Sequence, residues 1–176
     1  NAGGTNDDAG FGIDCDKEGN VYVTGLFSGL AIFDTQLLSI PEPDGTPLPF
    51  HFVARYDPDG DLVWVRTVTV PMLVATYPNS IGYAVKLDRA GDLIVVGSYT
   101  NTNVDAVDPA FSTMQADTCR FLTTYSNGYT NVFAQKLDTL GNTEWVHSVG
   151  GLNGFGSLFS LTFDAQNYIW TGGNMY

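Results

Sequence analysis

Apolar and polar residues alternate along several short segments of the chain. In GFGIDCDKEGNVYVTG, residues 10 to 25, the apolar Phe11, Ile13 and Cys15 alternate with polar residues or glycine. A period of two residues predicts a strand with one buried face. The run that follows, VYVTG, is apolar at almost every position and rich in β-branched and aromatic residues. It predicts a second strand that is covered on both faces.

This pair of segments returns along the chain. GYAVKLDRAGDLIVVG, residues 82 to 97, matches the first copy without a gap at an offset of 72 residues. A third copy, LFSLTFDAQNYIWTG, ends at Gly172 and lacks one residue at its turn. The later copies repeat the alternating core face with Tyr83, Val85 and Leu87, and with Phe159, Leu161 and Phe163.

A second pair of segments lies between the copies. HFVARYDPDGDLVWVRTV, from His51, matches VFAQKLDTLGNTEWVHSV, from Val132, at an offset of 81 residues between Asp57 and Asp138. Each predicts two strands joined by a turn, so that a full unit has four strands. The strands are predicted at 9–16, 20–26, 51–57 and 61–69, and at 82–88, 92–98, 131–138 and 142–149.

Four-stranded units repeated along a chain are typical of β-propeller blades, which pack face to face. A β-sandwich is the alternative, but it does not explain a pattern that returns after about 75 residues. We therefore expect an all-β chain of two and a half blades, with two insertions. The expected ranges are 5–70 for blade 1, 78–150 for blade 2 and 154–176 for a partial blade 3, with insertions at 26–49 and 98–130.

Two stretches, GGTNDDAGFGIDCDKEGNVYVTG and NVFAQKLDTLGNTEWVHSVGG, resemble the bacterial β-propeller repeats called SBBP. Units of that family run through a GG turn, an "aiavD..GNvYvtG" segment and a "dvfvaKyd..Gnl.W" segment. The resemblance covers about three quarters of the chain and misses the two insertions. It implies a propeller fold and a secreted or cell-surface location in bacteria, and it implies no particular biochemical activity.

The charge balance limits the partners of the chain. Seven basic residues stand against 19 acidic ones, which gives a net charge of −12. This charge repels phosphate backbones and anionic membrane surfaces, so nucleic acid is not an expected partner. No run of about 18 apolar residues predicts membrane insertion.

Two cysteines are too few for a disulfide scaffold, and they do not have the paired spacing of a zinc site. Cys15 is predicted to be a small buried hydrophobe, because it replaces Leu87 and Phe163 on the core face. Cys119 lies in a predicted loop, where a disulfide is one alternative.

The segment DCDKEGN places acidic side chains at alternate positions ahead of a glycine, as the first half of a calcium-binding loop does. The pattern common to the copies, however, is D-x-x-G-[ND], which is typical of a type I turn that closes into a bulge. We therefore predict turns and no cofactor. Calcium is the alternative at Asp14, Asp16 and Glu18, and likewise at Asp57, Asp59 and Asp61.

The histidines and two of the tryptophans lie in predicted third and fourth strands. His51 and His147 have no partner at ligand spacing, which favours packing or surface roles over catalysis, and no catalytic residue is assigned. Trp64 and Trp145 occupy equivalent positions, where a large ring fills the space between blades. Stacking on a sugar is the alternative for these rings.

The insertions follow the second strand of each full unit, so both are expected on one face of a propeller. Long loops of this kind are often functional. The candidate ligand-binding residues of the second insertion are Tyr99, Asn101, Arg120, Tyr125 and Tyr129. Solvated decoration is the alternative.

These features favour a non-enzymatic, extracellular structural or adhesive interaction module. The alternatives are a carbohydrate-binding module that uses the insertion face, and a fragment of a propeller lyase or hydrolase. Two and a half blades do not close a propeller of about four to eight blades, so a processed product or a fragment is expected. The flanks around Phe11 and Tyr22, and around Phe163 and Trp170, are then expected to contact further blades or sister chains. A surface glycan or a protein is a further candidate partner.

Overall fold

The computed structural model describes residues 2–40, 45–68, 79–100, 115–117, 119–120, 130–150 and 155–176. All the elements in these ranges are strands, and none of the ranges holds a helix long and apolar enough to cross a membrane. The strands are β1 (Ala2–Gly4), β2 (Ala9–Cys15), β3 (Val21–Ser28), β4 (Leu30–Phe33), β5 (Gln36–Ser39), β6 (Pro49–Tyr56), β7 (Leu62–Thr67), β8 (Asn79–Leu87), β9 (Leu93–Thr100), β10 (Gln115–Ala116), β11 (Cys119–Arg120), β12 (Thr130–Leu137), β13 (Thr143–Val149), β14 (Gly156–Phe163) and β15 (Ile169–Met175).

The strands form antiparallel sheets in the predicted groups. The first sheet has the order β2-β3-β6-β7, and the second has the equivalent order β8-β9-β12-β13. Strands β14 and β15 pair in a two-stranded third sheet. The predicted all-β class and both four-stranded antiparallel sheets are confirmed, with strand ends that differ from the prediction by at most three residues.

The three sheets pack against one another in the same manner at both junctions. Strand β8 lies on β2, β3 and β6 of the first sheet, and β14 lies on β8, β9 and β12 of the second. The first junction encloses the main core, in which Tyr22, Val53 and Trp64 meet Val85 and Val95. Face-to-face packing of the two full sheets is therefore confirmed, and none of the sheets closes on itself.

A bulge occurs at the same place in the first strand of each sheet. The pairing register shifts between Gly10 and Gly12, between Gly82 and Ala84, and between Leu158 and Ser160. Each shift leaves one aromatic residue outside the ladder, and these residues are Phe11, Tyr83 and Phe159. Their rings form a row across the sheets, with centroids 5.6 Å and 5.0 Å apart. The predicted core face therefore ends at the bulge, where Phe11 and Phe159 are each 50% exposed.

A glycine of the second strand faces each bulge and fixes the alignment of the copies. A Cβ atom on Gly25, Gly97 or Gly173 would collide with a carbonyl oxygen of the first strand. The glycine equivalent to Gly25 is thus Gly173 and not Gly172. The predicted deletion in the third copy is wrong. Its turn has full length, and Asn167 adopts the positive φ (68°) that glycine adopts in the other copies.

Cys15 is exposed, which contradicts its predicted burial. Along β2, Gly12 and Asp14 face the second sheet, because a Cβ on Gly12 would lie 2.8 Å from Ala84 and Asp14 accepts a hydrogen bond from Leu87. Cys15 points to the opposite face of β2, which no described sheet covers. It is a free cysteine.

The first insertion was expected to be a loop, but most of its described residues lie in strands. Strands β4 and β5 form a hairpin, and β1 pairs with β4 to complete a three-stranded sheet. Ala31 and Phe33 are buried, whereas Leu30 and Ile32 are exposed. The overlooked sequence signal was a pair of short apolar runs, LAIF and LL, on both sides of the polar pair Asp34 and Thr35. The ring of Phe33 packs 4.8 Å from that of Phe52 and attaches the insertion to the first sheet.

Candidate functional site

Five tight turns carry the acidic motifs and have one geometry. In each, the main-chain N–H three residues after the aspartate donates to the aspartate carbonyl at 3.0–3.2 Å. A carboxylate oxygen of the aspartate accepts the N–H four residues on at 2.8–3.0 Å. The residue three positions after the aspartate has positive φ in every turn. The four predicted turns are confirmed at Asp16–Asn20, Asp57–Asp61, Asp88–Asp92 and Asp138–Asn142, and the turn Asp164–Tyr168, which was predicted one residue short, has the same geometry.

The three carboxylates of the calcium alternative have separate partners. Asp14 accepts the N–H of Leu87 at 2.9 Å, Asp16 closes its own turn, and exposed Glu18 pairs with Lys17 at 3.5 Å. Burial raises the pKa of Asp16, but hydrogen bonds from Asn20 and Tyr22 outweigh it and hold that pKa below its ordinary value. Within the described ranges, no three His, Cys, Asp or Glu side chains are grouped so that they could hold a metal ion.

The predicted ligand-binding residues are only partly placed. Tyr99 lies in β9 with its ring 1% exposed and 6.4 Å from that of Phe133, so it belongs to the core and not to a contact surface. Burial raises the pKa of the Tyr99 hydroxyl. Arg120 lies in β11, and its side chain is outside the described part of the chain. Asn101, Tyr125 and Tyr129 also lie outside the described residues.

A polar network crosses the junction between the first two sheets. The Oγ atom of Ser80 accepts the main-chain N–H of His51 at 3.1 Å and lies 2.9 Å from Nδ1 of the same residue. Nε2 of His51 lies 3.1 Å from Oε1 of Gln135, whose amide donates to Thr143. These bonds match a neutral imidazole protonated on Nε2. Burial lowers the pKa of His51 to about 4.

The order Ser80, His51, Gln135 superficially resembles a nucleophile, a base and an orienting group. All three side chains are buried, and a histidine with a pKa of about 4 is a poor base at neutral pH. The pocket beside the network, partly lined by Arg66 and Asp117, fits about one water molecule. The network therefore stabilises the junction, as the packing role predicted for His51 requires.

A cation lies on the third strand of each complete sheet, near the turns. The Nζ atom of Lys136 contacts Asp92 at 2.8 Å, Glu144 at 3.0 Å and Asp88 at 3.7 Å, and the hydrogen bonds with Asp92 and Glu144 raise the pKa of Lys136. Its equivalent, Arg55, lies 5.9 Å from the ring centre of Tyr22. The sequence contains the signal for this pair, since a basic residue stands two positions before the turn aspartate in both ARYD and QKLD.

The apolar surface of the chain is concentrated at its two ends. The first outer face contains Ile13 and Cys15 on β2, and Ile13 is 68% exposed. The last outer face contains Trp170 in β15 and Tyr168 directly before that strand. Trp170 is 62% exposed. Both flanks had been predicted, but Tyr22 is buried in the core and Phe163 is half-buried against the second sheet.

The interior junctions contain the equivalents of these exposed residues in contact. Val85 and Leu161 correspond to Ile13, and Tyr22 and Ile94 correspond to Trp170. Val85 shares a buried cluster with Tyr22, and Leu161 shares one with Ile94. Ile13 and Trp170 are thus the exposed equivalents of residues that lie in one buried cluster at each of the two interior junctions. This pair of outer faces is the candidate functional site.

No family model matches the chain, and no curated protein is significantly similar to it. Function is therefore inferred from the outer faces, the turns and the repeat.

Proposed function

We propose that the chain is a run of β-propeller blades of the SBBP type, with two complete blades and the first two strands of a third. Its function is that of an extracellular or cell-surface structural or adhesive module that acts through protein contacts. The location rests on the resemblance of the repeat segments to that bacterial family. The fold is supported by the equal strand order and equal junctions of successive sheets.

One observation supports the interaction role above all others. Val85 shares a buried cluster with Tyr22, and Leu161 shares one with Ile94. Their equivalents on the outer faces, Ile13 and Trp170, are exposed, because no described sheet covers them. Exposed apolar faces of unpacked sheets favour association. The partners that fit these faces are further blades or sister chains, because such partners carry the matching half.

Light scattering on residues 1–176 tests the proposal. Concentration-dependent association is expected at tens of micromolar, an order-of-magnitude concentration at which exposed core surface associates. Ile13→Glu and Trp170→Glu should each reduce it, because a carboxylate at the contact loses its water without gaining a partner. Leu140→Glu is the matched control, since Leu140 is 64% exposed in a turn away from both faces. A stable monomer at these concentrations would overturn the proposal.

A further inference from the structure

A small three-stranded sheet lies against the first sheet, on the side that points away from the second sheet. It consists of β1, β4 and β5, and we call it the cap. Ala31 and Phe33 of β4 belong to the main buried cluster, together with residues of β6 and β7. Leu30 and Ile32 of the same strand point to the other side and are exposed. The first insertion therefore folds back over the sheet from which it emerges.

The extent of this cover can be followed along one row of residues. The row consists of Cα partners in β2, β3, β6 and β7, whose side chains share one face, and its members are Ile13, Val23, Ala54 and Val65. Ile13 is exposed, Val23 is half-buried, and the other two are buried. The cap thus covers this face of the sheet from β3 to β7 and leaves the part on β2 open.

The cap occupies the place that a preceding sheet occupies at the first junction. Phe52 and Phe133 are equivalent, since each lies in the third strand of its sheet, opposite the glycine of the second strand that faces the bulge. The ring centre of Phe133 lies 4.9 Å from that of His51 in the first sheet. The ring centre of Phe52 lies 4.8 Å from that of Phe33 in the cap. Phe33 therefore has the position relative to the first sheet that His51 has relative to the second.

The turn between β4 and β5 extends the cap to the end of β6. Burial raises the pKa of the Tyr56 hydroxyl, and the charge of Asp34 in that turn raises it further. Tyr56 and Leu62 are partly buried against the cluster that contains Phe33. The cap thus reaches from the end of β3 to the opposite end of the sheet.

We propose that the cap inhibits docking on the first outer face. The inhibited partner is a second copy of this chain that presents its last outer face, because the equivalents of Ile13 and Trp170 share buried clusters at both interior junctions. While the cap is closed, this partner reaches only β2. Packing over the whole sheet, as at the interior junctions, requires the cap to move away. This inference rests on the proposed function, because it takes the outer faces as docking surfaces.

The attachment of the cap allows this movement. The cap and the first sheet are separate sheets, so no strand ladder has to break between them. The strands of the cap have three or four residues, whereas those of the first sheet, which fills the same place at the first junction, have six to eight. Gly29 precedes β4 with a φ of 66°, and its carbonyl accepts the N–H of Ile40 at 2.9 Å. This bond closes the base of the hairpin, which can then swing about Gly29 as a unit.

Two variants of the full chain, each with one docking face, test the cap. The acceptor carries Trp170→Glu, which removes its last outer face, and the donor carries Ile13→Glu, which removes its first. Neither variant can associate with itself through unlike faces. A mixture of the two therefore forms a single contact, whose dissociation constant is measured by sedimentation velocity.

Opening of the cap is expected to tighten this contact. Phe33→Asp in the acceptor places an unpaired carboxylate beneath the cap and favours its open position. The dissociation constant should fall at least about tenfold, because a face that is covered in most molecules binds only in proportion to its uncovered fraction. Ile32→Asp in the acceptor is the matched control, since it adds the same charge to the exposed side of the same strand. It should leave the dissociation constant unchanged.

A second variant and a second measurement separate opening of the cap from unfolding. Phe33→Ala removes the ring without burying a charge and should tighten the contact in the same direction. In the Phe33→Asp acceptor alone, amide hydrogen exchange should speed up at least about tenfold in β4 and β5, because a small sheet that has lost its packing opens readily. Exchange in β2, β3 and β6 should change much less, and exchange in β12 should not change.

Two results would contradict the inference: equal or absent binding of the donor by the Phe33→Asp and Ile32→Asp acceptors, or faster exchange that extends equally over the first sheet. The light-scattering experiment separates the cap from the proposed function. If residues 1–176 associate but all acceptors bind the donor equally, the interaction role is retained and the cap is lost. If residues 1–176 stay monomeric but the Phe33→Asp acceptor binds the donor, the cap is retained and the proposed association of the intact chain is lost.

Discussion

Two junctions between sheets can be compared within this one chain. At the first, the second sheet covers the first with four strands, and Trp64 is 5% exposed. At the second, only β14 and β15 are present, and Trp145, at the equivalent position, is half-buried. The two tryptophans have the same place in their sheets, since each is the Cα partner of the basic residue on the third strand. Burial at this position is therefore supplied by the adjacent sheet and not by the strand that carries the ring.

The largest expected effect separates the two tryptophans. Trp64→Ala should lower the free energy of unfolding by about 3–5 kcal/mol, because it removes a buried ring and leaves a cavity. Trp145→Ala should cost roughly half as much or less, since its ring is already partly in water. Urea unfolding of the two variants under identical conditions measures the difference. Equal costs would mean that the second junction is covered as fully as the first.

A second difference concerns the two histidines and pH. His51 lies in the covered junction with a pKa of about 4, against an ordinary value of 6.5. Between these two values the unfolded chain binds a proton that the folded chain excludes. The free energy of unfolding should therefore fall as the pH decreases from 6.5 to 4, by about 3 kcal/mol in total.

Denaturant titrations at several pH values measure this slope. His51→Gln should remove most of it, whereas His147→Gln should leave it, because His147 is exposed on the uncovered part of β13. Hydrogen bonds within the turns hold the pKa values of Asp16, Asp138 and Asp164 below their ordinary value, so these aspartates contribute at lower pH than His51 does. If the free energy of unfolding of the His51→Gln variant still falls between pH 6.5 and 4, other groups cause the pH dependence.

The smallest effects are expected in the turns, which are alike in the covered and uncovered sheets. Gly60 has a φ of 89°, so Gly60→Val should cost on the order of 1 kcal/mol or more, because β-branched residues tolerate positive φ poorly. Asp59→Ala should change the melting temperature very little. A chelator should leave that temperature unchanged, and a clear decrease would restore the calcium hypothesis for the acidic turns.

The repeat predicted the sheets well because each strand carries its own pattern. Alternation with period two and the D-x-x-G turns specify local structure, so the bounds of β2 to β13 within the full sheets were close to those observed. The predicted burial of Cys15 was wrong, because burial is not a local property of the strand. It depends on a neighbouring sheet, and no described sheet covers this face of β2. Tyr99 was misplaced because it looked like the start of a loop, whereas β9 continues to Thr100.

The candidate site was only half visible in the sequence. The outer flanks followed from counting strands, but the equivalence of Ile13 with Val85 and of Trp170 with Tyr22 required the positions of the bulges. The cations Arg55 and Lys136 were overlooked because a single basic residue in a strand predicts little until its partners across the turn are known. Gly173 was misaligned because two adjacent glycines, Gly172 and Gly173, fit the sequence pattern equally well.

The outer faces of the chain differ from each other, since one carries Ile13 and the other carries Trp170. An interface between unlike faces is heterologous, so the addition of one partner leaves a free copy of each face at the ends of the assembly. Such an assembly stops growing only when the rotations between successive sheets add up to a full turn. The angle between neighbouring sheets thus decides whether units of this kind close into a ring or continue as a fibre.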